Sequence, residues 1–305
     1  MPCIHVIVLE PWLLLCLFGL LQLHLTAVDS LSLVMTTATT ILSRPKAATV
    51  IDEILFPQQE YGQRIALGRR AQGISADHND GSLLQAKDER LYQTYGEFPL
   101  SSLDYLLDRA LSVSTGKRLS DIQNDGLNVV DLGSGCGRLV YYLGLSRPNW
   151  IVHGIEMSPL LHEEALVAQD RALSCGLLRS FSSPSPVSTP SGRISFYQGK
   201  ADKWSVVLEK ADIVFAYSTA WECQGLSPET GTMILSDEWN QLFTEYCSEA
   251  IVITTDRSLN ANEWTIIDRL EVPNPEVWNS MGYLQVHRNE NLDTMQKRLP
   301  LHNNL

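Results

Sequence analysis

From residue 127 onward, short apolar runs alternate with stretches of helical periodicity. A run of four to eight apolar residues between turn signals suits a strand buried on both faces, and helical spacing between such runs suits the crossovers of a parallel sheet. On this pattern residues 127–132 form a first strand, 138–145 its helix and 150–155 a second strand. Ser158 and Pro159 open the next helix, because serine caps and proline is preset for the first helical position; it runs to about residue 174. Residues 194–197, 212–216 and 250–254 supply three more strands, the last preceded by a helix opening at Ser236. The tail differs. Residues 264–272 and 278–287 are strand-like runs separated by Pro273-Asn274-Pro275, with no room for a crossover, so they pair antiparallel. The expected fold class is α/β: a mostly parallel central sheet with helices on both faces and a C-terminal antiparallel hairpin.

Upstream the pattern weakens. Residues 103–111 carry apolar side chains at helical spacing behind Ser101 and Ser102, both candidate caps. Residues 51–90 mix helix-like pieces with a Gly/Asp/Asn/Ser stretch from Gly73 to Ser82 and read as an arm or linker. A low-complexity stretch over 180–191 reads as a mobile surface insertion. Residues 11–28 are an apolar stretch with no Lys or Arg ahead of it, and they read as a targeting segment that engages a membrane. Residues 26–50 are rich in Ser and Thr and hold one acidic residue, Asp29, which is the composition of a transit peptide. The expected layout is a leader over 1–30, a transit-type segment over 31–50, an arm over 51–90, one domain over 91–290 and a polar tail over 291–305. Entry into the secretory pathway, or plastid import by bipartite targeting, is favoured over the nucleus.

Composition narrows the partners. The chain has 305 residues, 44% hydrophobic and 19% charged, with a formal net charge of -12. Nucleic-acid affinity comes largely from Lys and Arg displacing counterions, so direct DNA or RNA binding is not expected. The six cysteines, Cys3, Cys16, Cys136, Cys175, Cys223 and Cys247, form no Cys-x-x-Cys pair and have no histidine at ligand spacing. They read as buried thiols, and no metal is expected. The run His162-Glu163-Glu164 fits no metal-binding spacing and reads as a solvated helix face.

Candidate chemistry concentrates where the first strand ends. Asp131 is followed by Gly133, Ser134, Gly135 and Gly137, a loop in which glycines let the backbone turn sharply and approach a ligand, and these residues with the adjoining Arg138 are candidate cofactor contacts. A dinucleotide loop needs its third small residue one place later, where this chain has Arg138, so the spacing favours S-adenosyl-L-methionine. Glu156, 19 positions beyond Gly137 at the end of the second strand, is placed to accept hydrogen bonds from two ribose hydroxyls. Asp202, after the third strand, is a candidate for the adenine amino group and, alternatively, a helix cap. The fourth strand leads into Tyr217, Ser218, Trp221 and Glu222, which would face the methyl acceptor. Packing aromatics and a solvated Glu222 account for the same residues equally well.

Upstream, Thr94-Tyr95-Gly96-Glu97 precedes an amphipathic helix, and the first strand and loop read Val129-Val130-Asp131-Leu132-Gly133-Ser134-Gly135-Cys136-Gly137-Arg138. Together, over roughly residues 90–288, these resemble the non-SET histone-lysine methyltransferases of the disruptor-of-telomeric-silencing family, within the class I S-adenosylmethionine-dependent methyltransferases. The resemblance implies a Rossmann-like fold and a Tyr-Gly-Glu loop that closes over the methionine half of the cofactor, giving Tyr95 and Glu97 a binding role. Three departures bear on the acceptor: Phe98 stands where the family has Thr, Arg138 where it has Gln, and Tyr217-Ser218-Thr219 where it has Asn-Asn-Phe. The family's basic tail is also missing. Cofactor use therefore carries over and histone specificity does not. The expectation is methyl transfer to an organellar protein or a small molecule, with Tyr217, Ser218 and Glu222 as catalytic candidates. A protein-lysine methyltransferase and a non-catalytic cofactor-binding module stay open.

Overall fold

A computed structural model describes residues 34–38, 41–71, 95–115, 126–147, 149–180, 193–228 and 230–288. In chain order the elements are β1 (Val34–Ala38), α1 (Arg44–Val50, continuing as a wide turn over Ile51–Leu55), a 3-10 turn (Gln58–Glu60), α2 (Tyr61–Ala71) and α3 (Leu100–Thr115). There follow β2 (Asn128–Leu132), α4 (Arg138–Ser146), β3 (Ile151–Glu156), α5 (Pro159–Ser174), β4 (Leu178–Ser180), β5 (Arg193–Gln198), a 3-10 turn (Ala201–Trp204), α6 (Ser205–Leu208) and β6 (Ile213–Ala216). The rest comprises β7 (Cys223–Leu226), β8 (Met233–Leu235), α7 (Asp237–Tyr246), β9 (Ile251–Thr255), β10 (Arg257–Ser258), β11 (Trp264–Asn274) and β12 (Trp278–His287).

Nine strands form one sheet in the order β11-β12-β9-β6-β2-β3-β5-β1-β4. The four pairings among the five central strands are parallel, as the alternation of apolar runs and helices requires. The hairpin β11–β12 adds antiparallel at one edge, because the turn after Asn274 is too short for a crossover. The period of two divides each buried strand between two cores. Val129, Ile213, Phe215, Ile251 and Ile253 pack with α3, α4 and α5, whereas Val130, Val214, Ala216 and Val252 pack with Leu208 and Phe243 of α6 and α7. This is the α/β, Rossmann-like architecture with a C-terminal antiparallel hairpin. Because β3 and β5 lie on one side of β2 while β6 and β9 lie on the other, the order switches between β2 and β6. Ligands of such sheets bind outside the carboxyl ends of the strands at that switch.

The expected domain boundary at residue 91 is corrected. β1 lies between β5 and β4, antiparallel to both, with Thr36 and Ala38 fully buried. Ala47, Val50, Ile51, Leu55 and Phe56 belong to the same core as β2. The segment with transit-type composition therefore supplies a strand and a helix of the fold. A partly buried ionic cluster fixes it in place. Arg44 pairs with Asp108 of α3, and Arg147, itself fully buried, bonds Asp104 at 2.6 Å and Asp108 at 3.1 Å. The arm expected over 51–90 is likewise structured over 51–71. Residues 1–30, the Gly73–Ser82 stretch, the insertion expected over 180–191 (beyond Ser180) and the tail from 291 lie outside the described residues.

A second, three-stranded sheet in the order β10-β8-β7 stands beside the carboxyl end of β6. Sequence pattern did not anticipate it, because its strands run two to four residues and are only partly buried.

Candidate cofactor and acceptor site

After β2 the chain turns through three residues with left-handed backbone, Gly133 (φ 78°), Gly135 (φ 55°) and Gly137 (φ 82°). The amides of Gly133 and Ser134 donate to the Ile155 carbonyl at 2.9 and 3.1 Å, tying the loop to the end of β3. A β-carbon on Gly137 would come within 2.5 Å of the Phe196 ring, and one on Gly135 within 3.0 Å of the Tyr95 ring. Only glycine meets both the dihedral and the space. α4 starts directly after the last glycine.

Two carboxyl groups flank this loop. Glu156, at the end of β3, accepts from the Gly135 amide at 2.8 Å and from the Ser158 amide at 2.7 Å. Burial raises its pKa against the lowering effect of those amides. Each carboxylate oxygen can accept more than one hydrogen bond, so Glu156 holds the loop and retains acceptor capacity. Asp131 is buried, and its Oδ2 has no hydrogen-bond partner. Burial first, and the neighbouring Glu156 charge second, push its pKa up to about 8. The Ser134 hydroxyl is also buried without a partner.

The Tyr95–Glu97 loop closes over the glycines. The Tyr95 hydroxyl lies 2.8 Å from Glu97 Oε1 and 2.8 Å from Cys136 Sγ, and its pKa is well above the ordinary value, chiefly through burial. Burial also pushes the Cys136 thiol up to about 12. Arg64 of α2, 3% exposed, holds both oxygens of Glu97, at 2.5 Å through Nε and 3.2 Å through Nη2. Arg138 donates to the Phe98 carbonyl at 3.0 Å and to Asp52 at 2.6 Å, with Glu97 at 3.7 Å. The expected direct ligand roles of Glu97 and Arg138 are thus modified: both side chains are engaged with protein partners that shape the loop.

On the acceptor side the structure separates the candidates. Tyr217 is half-buried; its hydroxyl accepts from Asn274 Nδ2 at 2.9 Å and donates to Glu276 Oε2 at 3.2 Å, and its ring packs 5.2 Å from that of Phe98. Burial pushes its pKa up to about 12, so the phenol stays protonated. Ser218 is corrected. It is fully buried, donates to the Thr255 carbonyl at 2.8 Å and accepts from the Thr255 amide at 3.1 Å, so its hydroxyl is spent fastening β6 to β9. Glu222 is an exposed side chain beside β7. Trp221 stacks on Trp239 at 4.0 Å and lies 3.3 Å from a β-carbon placed on Gly133. Asp202 is exposed inside the 3-10 turn and accepts only from the adjacent Lys203 amide at 3.0 Å; the turn and α6 are preceded by Lys200 and Trp204, so its alternative reading as a helix cap is corrected. His162 is corrected as well: it is buried, not solvated.

Sequence reasoning missed Arg64, Asn274, Asp256 and Glu276. Asp256 adopts φ 60° and accepts from Thr219, from Ser280 at 3.0 Å and from the Met281 amide at 2.7 Å, joining the ends of β6, β9 and β12. None of the four sits in a local motif, and each acts across long sequence separations. Among the described residues no group of His, Cys, Asp and Glu could hold a metal ion, and Cys175 is exposed and Cys223 half-buried rather than buried as expected.

No protein-family model matches the sequence, and no curated protein matches it by sequence. Among solved structures, an RNA methyltransferase from Salinibacter ruber in complex with S-adenosyl-L-homocysteine is similar over 64% of this chain and 95% of that chain, at 17% identity and a TM-score of 0.37. Magnesium protoporphyrin IX methyltransferase from Synechocystis PCC 6803, with bound S-adenosylhomocysteine, is similar over 65% of this chain and 91% of that chain, at 14% identity and a TM-score of 0.33.

Proposed function

We propose that the chain is an S-adenosyl-L-methionine-dependent methyltransferase that binds its cofactor across the carboxyl ends of β2 and β3 and its acceptor beside β6. The observation that carries this is the Asp131 carboxyl, buried with an unpartnered oxygen beside Glu156 and the glycine loop. An unsatisfied buried carboxyl costs stability, and a ligand donor arriving there offsets that cost. The residues fit the group: Asp131 and Ser134 offer free polar atoms, and Glu156 offers acceptor capacity for ribose hydroxyls.

When bound, S-adenosylmethionine supplies an electrophilic methyl group on a positively charged sulfur. The chain's own contribution is positioning, with no covalent intermediate on the protein. Tyr95 covers the glycine loop, Arg64 fixes Glu97 beneath it, and Tyr217 and Trp221 wall the acceptor side. The protonated Tyr217 donates a hydrogen bond and does not serve as a base at neutral pH. The acceptor we favour is a protein side chain or a small molecule, since the net charge of -12 opposes nucleic acid. Titration of the full chain with S-adenosylmethionine, alongside Glu156→Ala and Gly135→Val, tests the reading; equal affinity in all three would sink it. Radiolabel transfer into an extract then separates protein from small-molecule acceptors by size.

We also propose that residues 11–28 direct the chain to the secretory pathway or a plastid. Removal of a leader must stop short of Val34, because β1 belongs to the sheet. A fluorescent fusion of residues 1–60 that stayed in the cytosol would remove this reading.

A further inference from the structure

The carboxylate of Glu276, in the turn between β11 and β12, gathers three separate parts of the chain. Its Oε1 accepts from the Tyr61 hydroxyl of α2 at 2.9 Å and from the Glu97 amide at 2.7 Å, and its Oε2 accepts from the Tyr217 hydroxyl at 3.2 Å. A β-carbon on Gly96 would lie 2.4 Å from Glu276 Oε2 and 2.9 Å from the Tyr217 ring, so loop, hairpin and acceptor wall meet with only a glycine between them.

We propose that Glu276 is a positioning residue that latches the Tyr95–Glu97 loop over the glycine loop, and so sets how tightly the cofactor is retained. The proposal rests on the cofactor reading above. The Glu97 amide is two residues from Tyr95, whose ring lies against Gly135; displacing that amide draws the ring off the glycine loop. The device has a fixed base and a releasable contact. Asn274, fully buried, anchors the turn by donating to Tyr217 at 2.9 Å and to Ser280 Oγ at 2.8 Å. Glu276 is exposed, so its three bonds compete with water and are individually weak. Arg64 still holds the Glu97 side chain, so release of Glu276 loosens the backbone over residues 95–97 while the hairpin stays folded. The carboxylate form matters, because three donors converge on two acceptor oxygens, and a glutamine side chain keeps only one of these as an acceptor.

The test compares the full chain with Glu276→Ala and the isosteric Glu276→Gln by amide hydrogen exchange and by S-adenosylmethionine titration. Faster exchange over residues 95–98 and a dissociation constant raised about tenfold in Glu276→Ala, with Glu276→Gln between it and the parent, are expected from the loss of two or three surface hydrogen bonds. Unchanged exchange over 95–98 overturns the latch. Faster exchange with unchanged affinity overturns its link to the cofactor. A parent chain that binds no S-adenosylmethionine instead overturns the cofactor reading itself, and this role of Glu276 with it.

Discussion

The Tyr95 ring sits against Gly135, so near that a single added carbon on the glycine would fall 3.0 Å from it. The two residues are 40 positions apart, and their contact brings the Tyr95–Glu97 loop onto the glycine-rich turn. Gly135→Ala therefore meets two penalties, a left-handed backbone for a residue with a β-carbon and an overlap with the ring. Together these should cost about 1–3 kcal/mol. The expected outcome is a melting temperature lower by several degrees and S-adenosylmethionine affinity reduced at least tenfold. A variant that melts lower yet binds as well as the parent would show the loop to be structural only.

Asp131 makes stability depend on pH. Its pKa in the fold is about 8, through burial and the nearby Glu156, against about 3.9 for an unperturbed aspartate. The folded chain therefore keeps a proton that the unfolded chain has lost, and the contribution of this residue to stability falls as pH rises from about 4 to about 8, then levels off. Asp131→Asn removes one proton from that balance. Urea denaturation at pH 5, 6, 7 and 8 should give a slope of stability against pH that is more positive than the parent's, by at most about 1.4 kcal/mol per unit. Parallel slopes for the two chains would mean that Asp131 is ionised in the fold.

Arg64 and Glu97 form a pair that is 3% and 9% exposed at the side chains. Breaking such a pair strands the partner charge, which costs about 3–5 kcal/mol, whereas neutralising both partners costs less. Arg64→Met should therefore destabilise the chain by at most that amount, since Arg138 stays 3.7 Å from Glu97 and Tyr95 still donates to it. The double variant Arg64→Met with Glu97→Gln should recover part of the loss. The denaturation midpoints of the two single variants and the double form the cycle that measures it; strict additivity would contradict the coupling.

The dependence on residues ahead of 51 is equally direct. A chain beginning at Val34 keeps β1 and the Arg44–Asp108 pair and should fold. One beginning at Ile51 exposes the edge of β5 and leaves Asp108 and Asp104 without Arg44, and it should be insoluble or melt far lower. Circular dichroism melts of the two truncations decide the point, with equal melting temperatures as the contrary result.

The parallel core was legible because its strands are near-continuous apolar runs between helices of plain periodicity, as with β2, β6 and β9. The glycine loop and Glu156 were legible because their chemistry is local to strand ends. β1 was not: Val-Met-Thr-Thr-Ala has a polar residue, Thr36, at a buried position, and its partners lie 140 residues or more away. The engagement of Glu97 by Arg64 and of Tyr217 by Asn274 and Glu276 escaped for the same reason, since ion pairs and hydrogen bonds between distant segments leave no spacing in the sequence.

Ser218 shows how the structure redirects a catalytic expectation. Its position after the fourth parallel strand suits an acceptor-facing group, but its hydroxyl both donates to and accepts from the Thr255 backbone, and no part of the residue is exposed. Removing that hydroxyl leaves the Thr255 amide and carbonyl short of a partner in the interior, which costs about 1–3 kcal/mol. A residue that touched the acceptor would instead lower turnover with little effect on stability. Ser218→Ala is therefore expected to lower the melting temperature by several degrees, while methyl transfer measured well below that temperature changes less than twofold. The opposite pattern, an unchanged melt with turnover down tenfold or more, would return Ser218 to the acceptor site and call for a rearranged contact between β6 and β9.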